Sequence, residues 1–413
     1  MNNIKYLIIG GGISGLAFAV RKKNEDYLII EKSNVLGGLA QSFRSNGFVW
    51  DVAGHFFHFH SNDTKRYYEE LMRDEKQRAV SKKAYVYYGK KYIDAPFQYH
   101  IDQLPTHEFL ECLTTLYYAN DYASGSSFDD YVREKYGSGI ANKFLIPYNE
   151  KLYACKMNEL EKDSMGCFLP RLSFDTLMSS LSGSAEKTYN DSFLYPVEGC
   201  SKFVDALAKQ LNPNKIHMNE TVVKVDADNQ IVYTNIGAYK YEYLINTSSL
   251  NTFSELCGVE SKGKLDYNRV LVLNIGFDLP SVDKEVNWIY FPGDEVFYRV
   301  GFYNNIAGTE RLSIYVEISY KEEGEIDIES AFNATLVDLK RVGIIDNHKV
   351  IAYNSFVINP GYVHITKKSK DFVSNFVGDM KKRNVFMIGR YAKWEYSAMD
   401  DSLEQALELS KRI

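Results

Sequence analysis

The chain has 413 residues, of which 45% are hydrophobic and 25% are charged. This composition is typical of a globular protein and excludes a wholly disordered chain, and the length predicts two or three domains. The net charge of −6 gives no reason to expect nucleic acid as a partner. We expect no membrane span and no secretory signal, because the apolar runs are short and the N-terminus lacks a basic region. The five cysteines form no CxxC pair, which favours a reducing, cytoplasmic location.

The first predicted elements form a strand–helix–strand unit. Residues 4–9 are a short apolar run that ends at glycine and predicts a buried strand. Residues 15–22 predict a helix, and residues 27–31 predict a second strand. A glycine-rich turn therefore lies between a strand and a helix, as in dinucleotide-binding proteins.

The turn itself has the GxGxxG pattern, carried by Gly10, Gly12 and Gly15. The first glycine allows the tight turn, the second lets the backbone approach a pyrophosphate, and the third permits close packing of helix and strand. Glu31 ends the second strand, where its carboxylate can accept hydrogen bonds from ribose hydroxyls. Strand, turn, helix and acid together predict nucleotide binding rather than an ordinary glycine turn.

The remaining elements predict a mixed α/β chain. Apolar residues recur at helical spacing within 105–165, and residues 199–211 predict a helix followed by a strand near 220–225. Residues 268–320 alternate between apolar and polar side chains, which predicts a largely antiparallel second sheet. Residues 384–389 repeat the strand-then-glycine pattern of the N-terminus, and residues 402–413 predict a closing helix.

Several later segments resemble one large family of flavoproteins. The sequences GGLA at 37–40, DVAGH at 51–55 and IGR at 388–390 are similar to segments of amine oxidases, protoporphyrinogen oxidase and UDP-galactopyranose mutase. The resemblance implies FAD rather than NAD as the cofactor. It also implies that FAD is bound by Gly10, Gly12, Ser14, Gly15, Glu31, Lys32, Gly38, Leu39, Gly54, His55, Val223, Gly389, Arg390, Tyr396, Asp400 and Ser402.

Within that family the chain most resembles UDP-galactopyranose mutases of the eukaryotic type. The similar segments are PFQ at 96–98, PYN at 147–149, FYR at 297–299, GY at 361–362 and GRYAKWEY at 389–396. The family's tyrosine before PFQ is Ala95 here. The resemblance implies catalytic roles for His55, Arg299 and Arg171. It implies that the substrate contacts Phe97, Gln98, Asn149, Tyr153, Arg171, Asn190, Tyr290, Arg299, Tyr362 and Tyr396.

This resemblance implies a FAD-dependent isomerase that interconverts pyranose and furanose forms of a UDP-sugar, UDP-galactose by default. In the family the N5 atom of reduced FAD attacks the anomeric carbon and displaces UDP, and the protein positions the groups. Arginines and tyrosines would hold the diphosphate, while Phe97 and Gln98 would hold the uracil. The implied reductant is NADPH or NADH.

Two other functions stay open. One is an ordinary FAD-dependent oxidoreductase of the amine oxidase or protoporphyrinogen oxidase type, and the other is a different transformation of a nucleotide sugar. The apolar stripe at 109–117 predicts either core packing or a face of a homo-oligomer. His55, His58 and His60 have metal-like spacing but lack a nearby cysteine or acid in the sequence, so we predict no metal.

The resemblance implies a Rossmann-like FAD-binding domain, a second domain with a mainly antiparallel sheet that binds substrate, and a helical region. We assign residues 1–75, 190–265 and 350–413 to the discontinuous FAD domain. The substrate domain takes residues 76–104 and 266–349, and the helical region takes residues 105–189.

Overall fold

The computed structural model describes residues 2–119, 124–166, 169, 172–181 and 191–413. Within these residues the chain forms two seven-stranded sheets and two small two-stranded sheets. The strands are β1 (Asn2–Ile9), β2 (Tyr27–Ile30), β3 (Ser42–Ser45), β4 (Phe48–Asp51), β5 (Gln77–Ser81), β6 (Ala84–Tyr88), β7 (Lys91–Asp94), β8 (Ser192–Pro196), β9 (Ile216–His217), β10 (Val222–Asp226), β11 (Ile231–Thr234), β12 (Ala238–Asn246), β13 (Asn268–Pro280), β14 (Trp288–Tyr290), β15 (Arg299–Phe302), β16 (Arg311–Lys321), β17 (Val350–Ile358) and β18 (Val385–Met387). The helices are α1 (Ile13–Arg21), α2 (Asn62–Leu71), α3 (Thr106–Tyr117), α4 (Phe128–Ile140), α5 (Ile146–Tyr153), α6 (Phe174–Leu181), α7 (Ser201–Ala208), α8 (Leu250–Leu256), α9 (Tyr303–Ala307), α10 (Ile328–Arg341), α11 (Lys367–Lys381) and α12 (Met399–Arg412).

The first sheet has the strand order β10-β11-β12-β1-β2-β9, with β18 beside β12. β1, β2, β9, β12 and β18 run parallel, whereas β10, β11 and β12 form an antiparallel meander. Helices cover both faces, so the central strands are apolar throughout, and Leu7, Ile8 and Ile29 are fully buried. α1, α7 and α12 pack on one face, and α8 and α11 on the other.

The second sheet has the order β17-β13-β16-β15-β14-β6-β7. Its pairs are antiparallel except for β6 with β14. Because side chains alternate along a strand, Leu271 and Leu273 of β13 pack with Leu339 of α10 on one face. Val270 and Val272 lie on the opposite face, in the core shared with the helical region. This second face carries the polar residues considered below.

The helical region is formed by α3, α4, α5 and α6. Gly137 interrupts α4 with a φ of +75°, and a Cβ there would lie 2.5 Å from the backbone of Thr115 in α3. Glycine therefore permits the close approach of the two helices. No helix in the described ranges is both long and apolar enough to cross a membrane.

The predicted fold class is confirmed, since the chain combines two sheet-rich domains with helices in a mixed α/β arrangement. Two strands in the segments assigned to the FAD domain pair outside the first sheet. β17 begins at residue 350, the predicted start of the last segment of the FAD domain, but it pairs along its length with β13 of the second sheet. β8 pairs with β5 in a separate small sheet. Both strands find partners far away in sequence, which local patterns do not specify.

Candidate functional site

The turn between β1 and α1 places glycine backbone at a helix N-terminus. Gly10 has a φ of +102°, and a Cβ there would lie 2.3 Å from Thr247 Oγ1. A Cβ on Gly15 would lie 2.1 Å from the Gly10 carbonyl oxygen. α1 begins at Ile13, and its N-cap residue, Gly12, has no side chain to bond the first N–H groups. Those N–H groups are available to an anion such as a pyrophosphate.

Glu31 follows β2, and backbone groups hold its carboxylate beside this turn. Oε2 accepts a hydrogen bond from Gly11 N–H at 2.7 Å, and Oε1 accepts one from Ser33 N–H at 2.8 Å. Gly37 N–H donates to the Gly11 carbonyl at 2.8 Å, so the second glycine pair also lies against the turn. This arrangement places a buried carboxylate where a dinucleotide has its ribose.

Four other predicted cofactor residues lie near this end of the first sheet. Gly38 has a φ of +60°. Gly38 and Leu39 directly follow Gly37, whose N–H donates to the Gly11 carbonyl in the turn. The side chain of Lys32 is exposed to solvent. Val223 occupies a register shift in β10, and its side chain is 55% exposed. A contact between any of the four and the cofactor stays a prediction.

The end of β18 also lies beside this turn, although it comes from the other end of the sequence. We call the turn, Glu31, the end of β18 and the start of α12 the cradle. Gly389 has a φ of +94°, and a Cβ there would lie 2.7 Å from Ser14 Oγ in the first turn of α1. Gly389 N–H donates to Gln405 Oε1 of α12 at 2.7 Å. Ser402, in the first turns of α12, is 9% exposed. Gly389 thus lies between the first turn of α1 and Gln405 of α12.

Two buried polar side chains in this cradle have atoms without partners. Asp400 Oδ2 accepts a hydrogen bond from His60 N–H at 3.2 Å, whereas Oδ1 is bonded to nothing in the described part of the chain. Burial, reinforced by the charge of Asp401, raises the pKa of Asp400 to about 6. Arg390 Nη1 donates to the Ser397 carbonyl at 3.1 Å, and among the described residues its Nε has no acceptor. Such atoms indicate a polar ligand.

The structure also brings an acidic pair to one of the three histidines. Ligand atoms of His60, Asp400 and Asp401 lie within 4.8 Å of one another. The sequence-based argument that these histidines lack a nearby acid is therefore wrong for His60, because α12 supplies two. His55 and His58 do not join this group. Since Asp400 belongs to the cofactor cradle, we assign no metal here.

Three adjacent strands of the second sheet place a tyrosine, an arginine and a glutamate in one row. The register pairs Tyr290 with Arg299 and Arg299 with Glu317, so the three side chains share a face. Arg299 Nη2 donates to Glu317 Oε1 at 2.8 Å, and Nε donates to Oε2. Burial lowers the pKa of Arg299, but Glu317, Tyr362 and Tyr315 together outweigh burial and hold the pKa well above its usual value. Arg299 therefore stays charged.

Tyrosine rings surround this row and join it to the cradle. Tyr148 lies edge-on to Tyr290 with ring centroids 5.3 Å apart, and Tyr362 stacks on Tyr396 at 5.6 Å. The guanidinium of Arg390 lies 5.1 Å from the Tyr362 ring and 4.8 Å from the Tyr396 ring. Burial raises the pKa of Tyr148, Tyr290, Tyr362 and Tyr396, so their hydroxyls are neutral donors. This cluster of side chains, which we call the cleft, combines two cations with several uncharged hydroxyls.

His55 lies at the junction of the two domains. Its Nδ1 is 3.1 Å from the Ala53 carbonyl oxygen, which fixes Nδ1 as the protonated nitrogen and leaves Nε2 as an acceptor. Burial, reinforced by the charges of Arg390 and Arg299, lowers the pKa of His55 to about 4. A Cβ on Gly54 would lie 2.5 Å from the Tyr315 hydroxyl, so the chain before His55 packs directly on the second sheet. His55 is a neutral imidazole at neutral pH.

The predicted uracil-binding residues are buried. Phe97 is fully buried, stacked on Phe144 at 5.2 Å and edge-on to Tyr88 at 5.6 Å. Gln98 is 1% exposed, and its Nε2 has no acceptor among the residues described. The ring of Phe97 has no free face here, so stacking on a pyrimidine requires a neighbouring ring to move. The unpaired Gln98 amide is the better-placed contact of the two.

The other predicted substrate residues have mixed positions. Asn149 Nδ2 donates to the Leu145 carbonyl at 2.6 Å, and in the described ranges its buried Oδ1 has no donor. Tyr153 lies edge-on to Tyr362 at 5.6 Å but donates its hydroxyl to the Ser164 carbonyl at 3.3 Å, so it acts within the framework. Arg171 and Asn190 lie outside the described residues.

Sequence reasoning missed Glu317 and Tyr148. A glutamate among the apolar residues RLSIYVEISY of β16 was the available signal, because a carboxylate in a buried strand needs a cationic partner. Tyr148 lies within the PYN segment but was not singled out. Its ring meets Tyr290 and Tyr298 of the second sheet.

The two sheets and the cradle define a two-domain protein with a dinucleotide-binding site. The sequence from residue 13 to residue 413 matches the family described as flavin containing amine oxidoreductase. The chain therefore belongs to this family.

Solved structures share the whole fold. A reduced UDP-galactopyranose mutase has a TM-score of 0.90 at 22% identity, covering 99% of this chain and 95% of that one. A protein titled putative protoporphyrinogen oxidase, from Exiguobacterium sp. 255-15, has a TM-score of 0.80 at 14% identity, covering 100% and 98%. A fatty acid isomerase from P. acnes that produces CLA has a TM-score of 0.68 at 14% identity, covering 99% and 98%.

Family membership makes FAD the cofactor of this chain, and the cradle fits it. The free N–H groups of α1 suit a pyrophosphate, and the carboxylate of Glu31 suits a ribose. The buried, unpartnered atoms of Arg390 and Asp400 suit the polar edge of a flavin.

Proposed function

We propose that the protein is a flavin-dependent UDP-sugar mutase of the eukaryotic type, which interconverts UDP-galactopyranose and UDP-galactofuranose. The observation that carries the proposal is the row of Tyr290, Arg299 and Glu317, which is surrounded by neutral tyrosines. A guanidinium with uncharged hydroxyl donors around it suits a diphosphate. The mutase noted above has the same fold over nearly the whole chain, which is consistent with this assignment.

The charge of the cleft argues against an amine substrate. Arg299 and Arg390 bring two positive charges, and Glu317 compensates one of them. A protonated amine entering this cleft would meet a net positive potential, whereas a nucleotide diphosphate would be attracted. The alternative function, a FAD-dependent oxidoreductase, predicts a more apolar channel for its substrate.

FAD, when bound and reduced, supplies the nucleophile for a mutase reaction, and NADPH or NADH is the proposed reductant. The task of the chain is to keep the departing diphosphate beside the sugar so that it can attack again. Arg299 orients the diphosphate through planar N–H donors, and the hydroxyls of Tyr290 and Tyr362 add donors without adding charge. The Tyr290 hydroxyl can donate to the diphosphate, because its oxygen accepts a hydrogen bond from Trp288 Nε1 at 2.7 Å and its own O–H remains available.

His55 serves this reaction as a neutral group. A pKa of about 4 means that the imidazolium form is absent at neutral pH, so His55 does not act there as a general acid. Its Nε2 can accept a hydrogen bond from a flavin or a sugar hydroxyl. We therefore assign His55 to orientation of the bound groups.

One assay tests the proposal directly. The purified holoprotein is reduced with dithionite under argon and mixed with UDP-galactofuranose, and UDP-galactopyranose is followed by chromatography. We expect conversion with reduced flavin and none with oxidised flavin. Arg299→Ala should lower kcat/KM about a hundredfold or more, because the transition state loses a cationic contact.

Arg269→Ala is the matched control, since Arg269 lies in the same sheet, at the start of β13, and in the described part of the chain its side chain donates to the carbonyls of Lys321 and Gly324. Its kcat/KM should stay near that of the wild type. If the wild type neither converts the sugar nor changes its flavin spectrum with UDP, the mutase assignment fails. Oxidation of an amine or a porphyrinogen would then support the oxidoreductase.

A further inference from the structure

The anion nearest to Arg299 in this structure belongs to the protein itself. Both oxygens of Glu317 accept from the guanidinium, through Nε and Nη2, and the carboxylate side chain is 3% exposed. A two-point contact of this kind fixes the plane of the guanidinium as well as its position. The Nη1 atom of Arg299 takes no part in the ion pair, so it is the part of the guanidinium that can contact a ligand.

Most groups around the ion pair of Arg299 and Glu317 are uncharged, so the charge of Glu317 has a large effect on the net charge of the site. Tyr290, Tyr315 and Tyr362 are neutral because burial raises their pKa, and His55 is neutral because burial lowers its pKa. Arg390 is the other charged group whose field reaches His55 along with the pair. Removing the charge of Glu317 would therefore raise the net charge that a diphosphate meets here from about one to about two.

A diphosphate held in such a cleft has two requirements that conflict. It must be attracted strongly enough to stay beside the sugar, and weakly enough to leave the phosphate–guanidinium contact and attack again. A carboxylate paired with the same guanidinium weakens the attraction while keeping the arginine in place.

We infer that Glu317 is a positioning residue that fixes the guanidinium of Arg299 and limits the strength with which the site holds a diphosphate. This role rests on the proposed function, because it presumes a substrate with a diphosphate. It assigns Glu317 no contact with the sugar or the flavin.

Glu317→Gln removes the charge and keeps the shape. We expect the flavin-loaded variant to bind UDP about three- to tenfold more tightly than the wild type, measured by flavin fluorescence, because a repulsion is lost. We expect its kcat to fall more than tenfold, because the amide bonds the guanidinium at one point only and the diphosphate is held too firmly. Glu317→Asp retains the charge, so its affinity for UDP should return to that of the wild type.

Glu295→Gln is the matched control. Glu295 is also a buried acid, 4% exposed, but its cationic neighbours are Lys151 and Arg341 at 3.9 Å each. The control should leave the affinity for UDP unchanged. Melting temperature and the ratio of flavin to protein confirm that each variant is folded.

Affinity for UDP that is equal or weaker in flavin-loaded Glu317→Gln overturns the inference, and so does loss of flavin and UDP binding together in both Glu317 variants. Inorganic pyrophosphate serves as a second probe that needs no nucleoside. If the wild type binds pyrophosphate but not UDP, the proposed function fails, and the ratio of pyrophosphate affinities still decides the role of Glu317. If it binds neither, both proposals fall.

Discussion

Gly301 and Tyr315 are register partners on β15 and β16, and the tyrosine ring covers the glycine so closely that a Cβ on Gly301 would lie 1.9 Å from it. The hydroxyl oxygen of Tyr315 lies 2.5 Å from the position that a Cβ on Gly54 would take. Tyr315 is therefore clamped between a strand of the second sheet and the segment that leads to His55. One of the contacts between the two domains is therefore a ring held between two glycines.

Gly301→Ala should destabilise the protein by about 1–3 kcal/mol, because an added methyl overpacks a fully buried site and displaces the Tyr315 ring. Denaturant unfolding of the holoprotein measures the change. Gly237→Ala is the control, since its Cβ position is open, and it should stay within about 0.5 kcal/mol of the wild type. Equal stability of the two variants would contradict the clamp.

Gly389→Ala should lower the ratio of bound flavin to protein. A side chain at a φ of +94° is strained, and its Cβ would press on Ser14 Oγ, so the N-terminus of α1 must shift. Absorbance of the flavin against that of the protein measures the occupancy. Gly378→Ala in α11 has open space at its Cβ and should retain full occupancy with equal or slightly higher stability.

Tyr362→Phe should leave stability nearly unchanged and lower kcat/KM of the mutase reaction about tenfold. The ring still stacks on Tyr396, but one hydroxyl donor to the diphosphate is lost. Steady-state kinetics with reduced enzyme test the expectation. Tyr353→Phe, at a ring that is 54% exposed on β17, should change neither quantity. An unchanged kcat/KM in Tyr362→Phe would remove Tyr362 from the substrate site.

Asp51 should make stability fall as the pH rises. Burial raises the pKa of this fully buried carboxyl to about 6, although Ser42, Cys200 N–H and Tyr195 all donate to it. Because its folded pKa lies above the unfolded value of about 3.9, the folded state binds the extra proton between these values. Its contribution is complete below about pH 4 and is lost through about pH 6. The loss amounts to about 2–3 kcal/mol.

Asp51→Asn tests this pH dependence. The amide keeps one acceptor oxygen and carries no titrating proton, so the difference in unfolding free energy between pH 4 and pH 7 should shrink by about 2–3 kcal/mol relative to the wild type. Denaturant unfolding of both proteins at the two pH values gives the difference. Identical pH profiles would show that Asp51 does not titrate in this range.

Much of the first domain could be predicted from sequence because its signals are local. The apolar run before Gly10, the helix after Gly12 and the acid at Glu31 stand in one short unit, and the predicted elements agree with the observed ones except for a few residues at their ends, where Glu31 follows β2 instead of ending it. The second sheet was predicted as antiparallel from alternation alone. The pairing of β17 with β13 could not be predicted, because β17 is a half-exposed edge strand and its pattern does not say which strand it joins.

The candidate site was harder, because its residues meet only through tertiary structure. Arg299 could be chosen by resemblance, but its pairing with Glu317 depends on the register of β15 and β16. The burial of Phe97 depends on Phe144, in a segment packed against it from another part of the chain. Contacts of this kind carry no signature in a single sequence.

The meeting of Ser14 and Gly389 has a consequence for how the protein is made. A ribosome delivers Ser14 almost at once and Gly389 only after nearly all the intervening residues have emerged. Firm binding of flavin therefore requires that β18 has already paired with β12. Parallel pairing between such distant segments is slow, so newly made molecules should pass through a flavin-free state in which the half-built cradle is exposed to aggregation and proteases.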